Sequence, residues 1–228
     1  MAKHENQIKG SYRNILNEYF NSSKEEKKLG KAFYPNANVI AWSIGNALGY
    51  SVDESSNIGA GIISALSPRT DWENNIQLAY EFVEKKWADK QTKANNNKAL
   101  KILDGEDPME VLGKQSYKTK AFYKAIKDPE GNNLIDYVVG FDKTTEMAVI
   151  DRHAGGVYYG YPLIESERKQ LSTWKVIKRI SNAYIKVAEG LDIPLNELQA
   201  VTWHSFRNKY KNKYAISIRK SARKGKKS

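Results

Sequence analysis

The 228-residue chain has no cysteine. That excludes disulfides, thiolate metal sites, iron–sulfur clusters and cysteine nucleophiles, and it suits a reducing compartment. The three histidines, His4, His153 and His204, are too scattered to make a metal site. No apolar run approaches the roughly 18 residues a membrane-spanning helix needs, and the opening "MAKHENQIKG" lacks the apolar centre of a signal peptide. The expectation is a soluble monomer of the cytoplasm, with no metal, no cofactor and no membrane partner. Acids are absent from the last 23 residues, where ten Lys or Arg residues follow Phe206. The total charge of +11 is therefore concentrated there, and the first 205 residues are close to neutral.

Hydrophobic residues make up 40% of the chain, with five Trp and fourteen Tyr, so a substantial core is available. This divides the chain into a helical domain, 1–205, and a basic tail, 206–228. In the tail Arg207, Lys209 and Lys211 alternate with Tyr210 and Tyr214. The pattern suits a polyanion such as DNA, because each neutralised phosphate releases counterions. A solvated, solubilising tail is the plainer alternative. An anionic membrane fits less well, because the tail lacks a bulky apolar face.

Helical spacing dominates the rest. Ile8, Tyr12, Ile15, Leu16 and Tyr19 mark a first helix. Pro35 is expected to open a second, ended by Gly49, and "SVDESSNIGAGIISALSP" a third, stopped by Pro68. "DWENNIQLAYEFVEKKW" gives a fourth, with Ile76, Ala79, Tyr80 and Val83 as its stripe, and "DKQTKANNNKA" reads as a loop or helix edge. Two short helices, "DPMEVLG" and "YKTKAFYKAIKD", follow. "LIDYVVGF" reads as a strand or as the first helix of a hairpin. "STWKVIKRISNAYIKVAEGL", capped by Ser172 or Thr173, and "PLNELQAVTWHSFRNKY" complete at least eight helices. The fold expected is all-α, with two helical lobes and a cleft between them.

Two stretches depart from simple packing. In "MAVIDRHAGGVYYG" an apolar run, Met147 to Ile150, delivers Asp151, Arg152 and His153. A carboxylate at the end of an apolar segment can stabilise a developing cation or activate a water, provided desolvation does not protonate it. It can equally be a helix N-cap. In "GIISALSPRTDWENN" an apolar helix runs into a polar corner. Capping by Thr70 or Asp71 explains part of that corner, and Ser67, Arg69, Trp72 and Asn75 read as pocket lining. Trp203, His204 and Arg207 form a last cluster, facing DNA or the core.

Together these stretches resemble the helix-hairpin-helix DNA glycosylase superfamily. Ser64, Ala65, Thr70, Asp71 and Asn75 match that family's Ser-Ala-x-x-Thr-Asp helix end and following Asn, with Ser67-Pro68 inserted. Ile150, Asp151, His153 and Val157 match its Val-Asp-x-His-x-x-Arg-Val segment, with Gly156 in place of the Arg. Lys120 and Ala121 match its Lys-Ala helix start, and the matches run from residue 58 to 160. The hairpin candidate "VVGFDKTTEM" has one glycine and no Leu-Pro, and Lys143 stands eight residues before Asp151. The resemblance also extends to short phage-encoded proteins that share the "SP…W…N" and "DR" pattern.

The resemblance implies a DNA-binding enzyme acting on a flipped-out base, of N-glycosylase type, on a modified or damaged base in double- or single-stranded DNA. A phage-encoded protein would work in the cytoplasm of a bacterial host. Asp151 would stabilise the sugar cation, and Lys143 or Lys120 would be the Schiff-base candidates. Ser67, Arg69, Trp72, Asn75 and His153 would hold the base, and Lys118, Arg152, Arg207, Lys209 and Lys211 the DNA backbone. Two alternatives stay open: a transferase that hypermodifies phage DNA bases on the same fold, and a non-catalytic nucleic-acid-binding protein.

Overall fold

The computed structural model describes residues 11–114, 116–130, 134–135 and 145–224. These residues are all-helical apart from one two-residue ladder, in which Leu134 faces Glu146 and Ile135 faces Thr145 in antiparallel register. Eleven helices are described. They are α1 (Ser11–Asn21), α2 (Lys24–Ala47), α3 (Val52–Leu66), α4 (Trp72–Lys85), α5 (Lys93–Leu103), α6 (Pro108–Leu112), α7 (Tyr117–Lys127), α8 (Arg152–Tyr159), α9 (Glu165–Gln170), α10 (Trp174–Leu191) and α11 (Leu195–Lys224). Their apolar faces meet in one contiguous core that runs from Ile15 on α1 to Phe206 on α11. No described helix is long and apolar enough to cross a membrane.

Pro35 does not open a helix. It lies inside α2, which starts eleven residues earlier at a capping box. Ser23 Oγ accepts from the Glu26 N–H at 3.1 Å, and Glu26 Oε2 accepts from the Ser23 N–H at 2.9 Å. A proline removes one backbone bond from a helix, and packing along both ends of α2 overrides that loss. At its crossing with α3 the backbones touch: a Cβ at Gly59 would stand 1.8 Å from the Ala41 carbonyl oxygen, and one at Gly45 2.2 Å from the Ser55 carbonyl oxygen. Only glycine permits an approach this close.

The expected stripe of α4 is rotated by one residue. Asn75, Leu78, Ala79 and Phe82 are buried, and Tyr80 is exposed. The true face was concealed because a polar residue, Asn75, begins it. "DKQTKANNNKA" is mostly helix rather than loop, with Thr92 Oγ1 capping α5 through the Asn95 N–H. Buried Asn96 explains the change, since it accepts from the Ala88 N–H at 2.8 Å and donates to the Ala88 carbonyl at 3.0 Å. The candidate hairpin "VVGFDKTTEM" falls largely on residues 138–144, and Lys143 with it, outside the described residues. The boundary expected after residue 205 falls within α11, which continues to Lys224 and whose Phe206 is buried.

Candidate functional site

The corner between α3 and α4 is built to hold its polar groups still. Ser67 Oγ donates back to the Ser64 carbonyl at 2.9 Å, and Gln91 Nε2 donates to the carbonyls of Leu66 at 2.7 Å and Pro68 at 3.2 Å. Arg69 is left in the left-handed region, with φ +66°. For a residue with a Cβ this is strained, and such strain gathers at functional sites. Asp71 is the N-cap of α4, accepting from the Asn74 N–H at 2.9 Å. That settles the choice between Thr70 and Asp71.

Asp151 ends the buried run Met147–Ile150 and caps α8. Its Oδ1 accepts from the backbone N–H groups of His153 and Ala154, both at 2.8 Å. Its Oδ2 accepts from the indole N–H of Trp203 at 3.2 Å. Burial alone would raise the carboxyl pKa, but the charges of His153 and Lys118 and the two backbone bonds outweigh it and hold the group below its usual value. His153 goes the other way from a free imidazole: burial first, helped by Arg152, Arg207 and Lys118 and opposed by Asp151, pushes it down to about 4. At neutral pH the pair is a carboxylate beside a neutral imidazole. Gly156, one turn into α8, lets this helix settle onto α11; a Cβ there would stand 2.6 Å from Phe206 Cε1.

Both stretches face one cavity of about 520 Å³. Ser67, Arg69, Trp72, Asn75, Lys118, Asp151, Arg152, His153 and Arg207, nine of the sequence candidates, all line it. Its walls are aromatic. The Phe33 ring centroid lies 5.1 Å from Trp72 and 5.9 Å from Trp203, Trp72 meets Phe122 edge-on at 6.2 Å, and His153 meets Trp203 at 5.8 Å. Arg207 lies over Trp203 with its guanidinium 4.9 Å from the ring centroid, and reaches Glu73 on α4 at 3.8 Å. Four cationic side chains line the cavity against two acids, Asp71 and Asp151. A flat ligand can stack on these walls while its anionic part meets the cations.

A second cleft of about 340 Å³ shares Lys118, Asp151 and Arg152 with the first. It adds Arg168 and the hydroxyl residues Ser116, Thr119 and Ser172. The other sequence candidates lie apart. Lys120 is buried on α7, 4% exposed, and lines neither cleft. Lys209 pairs with Glu18 at 3.3 Å, and Lys211 is exposed on α11. No group of acids and histidines among the described residues could hold a metal ion.

Sequence reasoning passed over Phe33, Tyr34, Phe122 and Gln199, which complete the cavity. Tyr34 donates to Gln199 Oε1 at 2.8 Å, tying α2 to α11 behind the aromatic wall. Nothing in the local pattern marks these residues, because an aromatic on an amphipathic helix looks the same whether it lines a core or a cavity. The chain belongs to a family of unknown function, DUF7178, which it matches over residues 1–210. No curated protein and no solved structure matches it.

Proposed function

For this member of a family of unknown function, we propose that the cavity receives one base of a DNA strand, turned out of its stack, and that the protein acts on it as an N-glycosylase-like enzyme. The observation that carries the reading is an anionic Asp151 at the wall of a cavity lined by Phe33, Trp72 and Trp203 and ringed by cations. Aromatic faces take a base of any sequence. Arg69, Lys118, Arg152 and Arg207 suit the phosphates beside it, and the second cleft offers the neighbouring backbone a path. The resemblance of the two sequence stretches to helix-hairpin-helix glycosylases supports the same reading. A two-lobed division about the cleft, a monomeric state and a cytoplasmic location belong to this proposal.

In the reaction, the bond from C1′ to the base nitrogen breaks and its electron pair leaves with the base. Positive charge grows at C1′, and water then forms the new bond there and releases its proton. Asp151 is a weak base because its carboxyl pKa is held low. Its role is therefore to stabilise the sugar cation electrostatically, through Oδ2, the oxygen that the Trp203 N–H holds in place.

The test is incubation with DNA carrying a panel of modified and damaged bases, followed by nucleoside mass spectrometry. Release of a free base, abolished in Asp151→Asn, is the expected result. A base altered but still attached would mean a transferase, and binding with no product would leave a binding protein.

A further inference from the structure

We infer that Asn75 reads the pairing edge of the captured base, so that the substrate must offer an N–H there and must be unpaired. The inference rests on the base-binding reading above and adds its chemical selectivity. Asn75 is 2% exposed and lines the cavity, three residues along α4 from Trp72 and so on the same face. Its Oδ1 is buried with no hydrogen-bond partner among the described residues.

Neighbouring asparagines on the same stretch of chain have partners. Asn74 Nδ2 donates to Asp71, Asn95 Nδ2 to Gln91, and the fully buried Asn96 is bonded at both ends of its amide. A buried carbonyl left unbonded lowers stability, and a leucine, which has the same branched shape without the polar atoms, would avoid that loss. The amide is what a ligand needs rather than what the core needs. A carboxamide beside an aromatic wall matches the adjacent donor and acceptor on a base edge. In a duplex that edge is occupied by the partner base, which is why the substrate base must be unpaired.

The full chain is titrated at about 0.3 M salt, which weakens tail contacts, with single-stranded dT11 and dA11. Each is paired with an 11-mer in which the donor is blocked, as N3-methylthymidine or N6,N6-dimethyladenine. Quenching of tryptophan fluorescence reports binding beside Trp72 and Trp203. Blocking should weaken binding at least about tenfold in one of the two pairs, as expected when a buried hydrogen bond is removed. Asn75→Leu should bind the blocked and unblocked strands of that pair equally and melt no lower than the wild type. Equal binding of both pairs by the wild type would overturn the inference while leaving base binding intact. So would discrimination that persists in Asn75→Leu. Absence of quenching by any strand would remove the base-binding reading and this inference with it. The wild-type comparison stands whether or not the variant folds.

Discussion

The indole N–H of Trp203 donates to Asp151 Oδ2 at 3.2 Å, so α11 steers the carboxylate that caps α8. One oxygen of Asp151 serves the helix, and the other is turned to the cavity under the control of a tryptophan 52 residues later. Asp151→Asn tests the two jobs separately. Asparagine caps about as well as aspartate, but its NH₂ would oppose the Trp203 N–H. A stability loss of about 1 kcal/mol is expected from that clash of donors. Product formation should fall on the order of 100-fold or more if the charge acts on the transition state. Trp203→Phe keeps the aromatic wall and removes the N–H, and should give a smaller loss of turnover at unchanged DNA affinity. Full activity in Asp151→Asn would reduce the residue to a cap.

Acid should destabilise the protein through His153. The imidazole is 5% exposed, and burial pushes it down to about 4. Below about pH 6.5 the unfolded chain takes up a proton that the folded chain refuses, so stability falls as pH drops toward 4. The loss is on the order of 3 kcal/mol over that window. Burial shifts His204 in the same direction and adds to the slope. Below about pH 4 the protonation of Asp151, also held low, extends the loss. Urea midpoints measured from pH 7 to 4 should slope in the wild type and slope less in His153→Gln, with the His204 part remaining. A flat wild-type profile would show that the ring is solvated.

The tail can be tested with a boundary that the structure corrects. Lys209 pairs with Glu18, and the Tyr210 ring packs on Phe206 at 4.6 Å, so a cut before residue 210 would damage the core. Removing residues 212–228 takes away seven cations and keeps those two interactions. The log–log dependence of DNA affinity on salt should become shallower by about 0.9 for each phosphate that is no longer neutralised. An unchanged slope would mean that this segment does not touch DNA.

Two glycines should respond in opposite ways to alanine. At Gly59 the new methyl would press on the Ala41 carbonyl oxygen, so α2 and α3 must separate. A loss of about 3 kcal/mol, or failure to fold, is expected from overpacking of this kind. At Gly190, near the end of α10, nothing lies within 4 Å. Gly190→Ala should therefore gain about 0.5–1 kcal/mol from helix propensity. Thermal melts of the two variants check both signs.

The site was legible where polar residues follow an apolar run without a packing reason. Arg69 and Asn75 after α3, and Asp151 after Ile150, broke the local pattern, and all three line the cavity. Phe33 and Tyr34 broke no pattern, because their role depends on α2 meeting α11 more than 160 residues later. Pro35 misled for the same reason, since its local signal yields to tertiary packing spread along α2. Asn75 both disclosed the cavity and disguised the helix face, because a polar residue at the head of a buried stripe rotates the apparent period by one position.

The length of α11 sets a measure. The helix supplies Trp203 and Arg207 to the cavity and then runs on to Lys224. At about 1.5 Å per residue its far end lies roughly 30 Å from Trp203. That is about nine steps of a DNA strand at 3.4 Å each. On the proposed reading, oligonucleotides much shorter than this can occupy one end of the rod but not both. Affinity should therefore rise with strand length and level off near ten nucleotides, making the helix a molecular ruler.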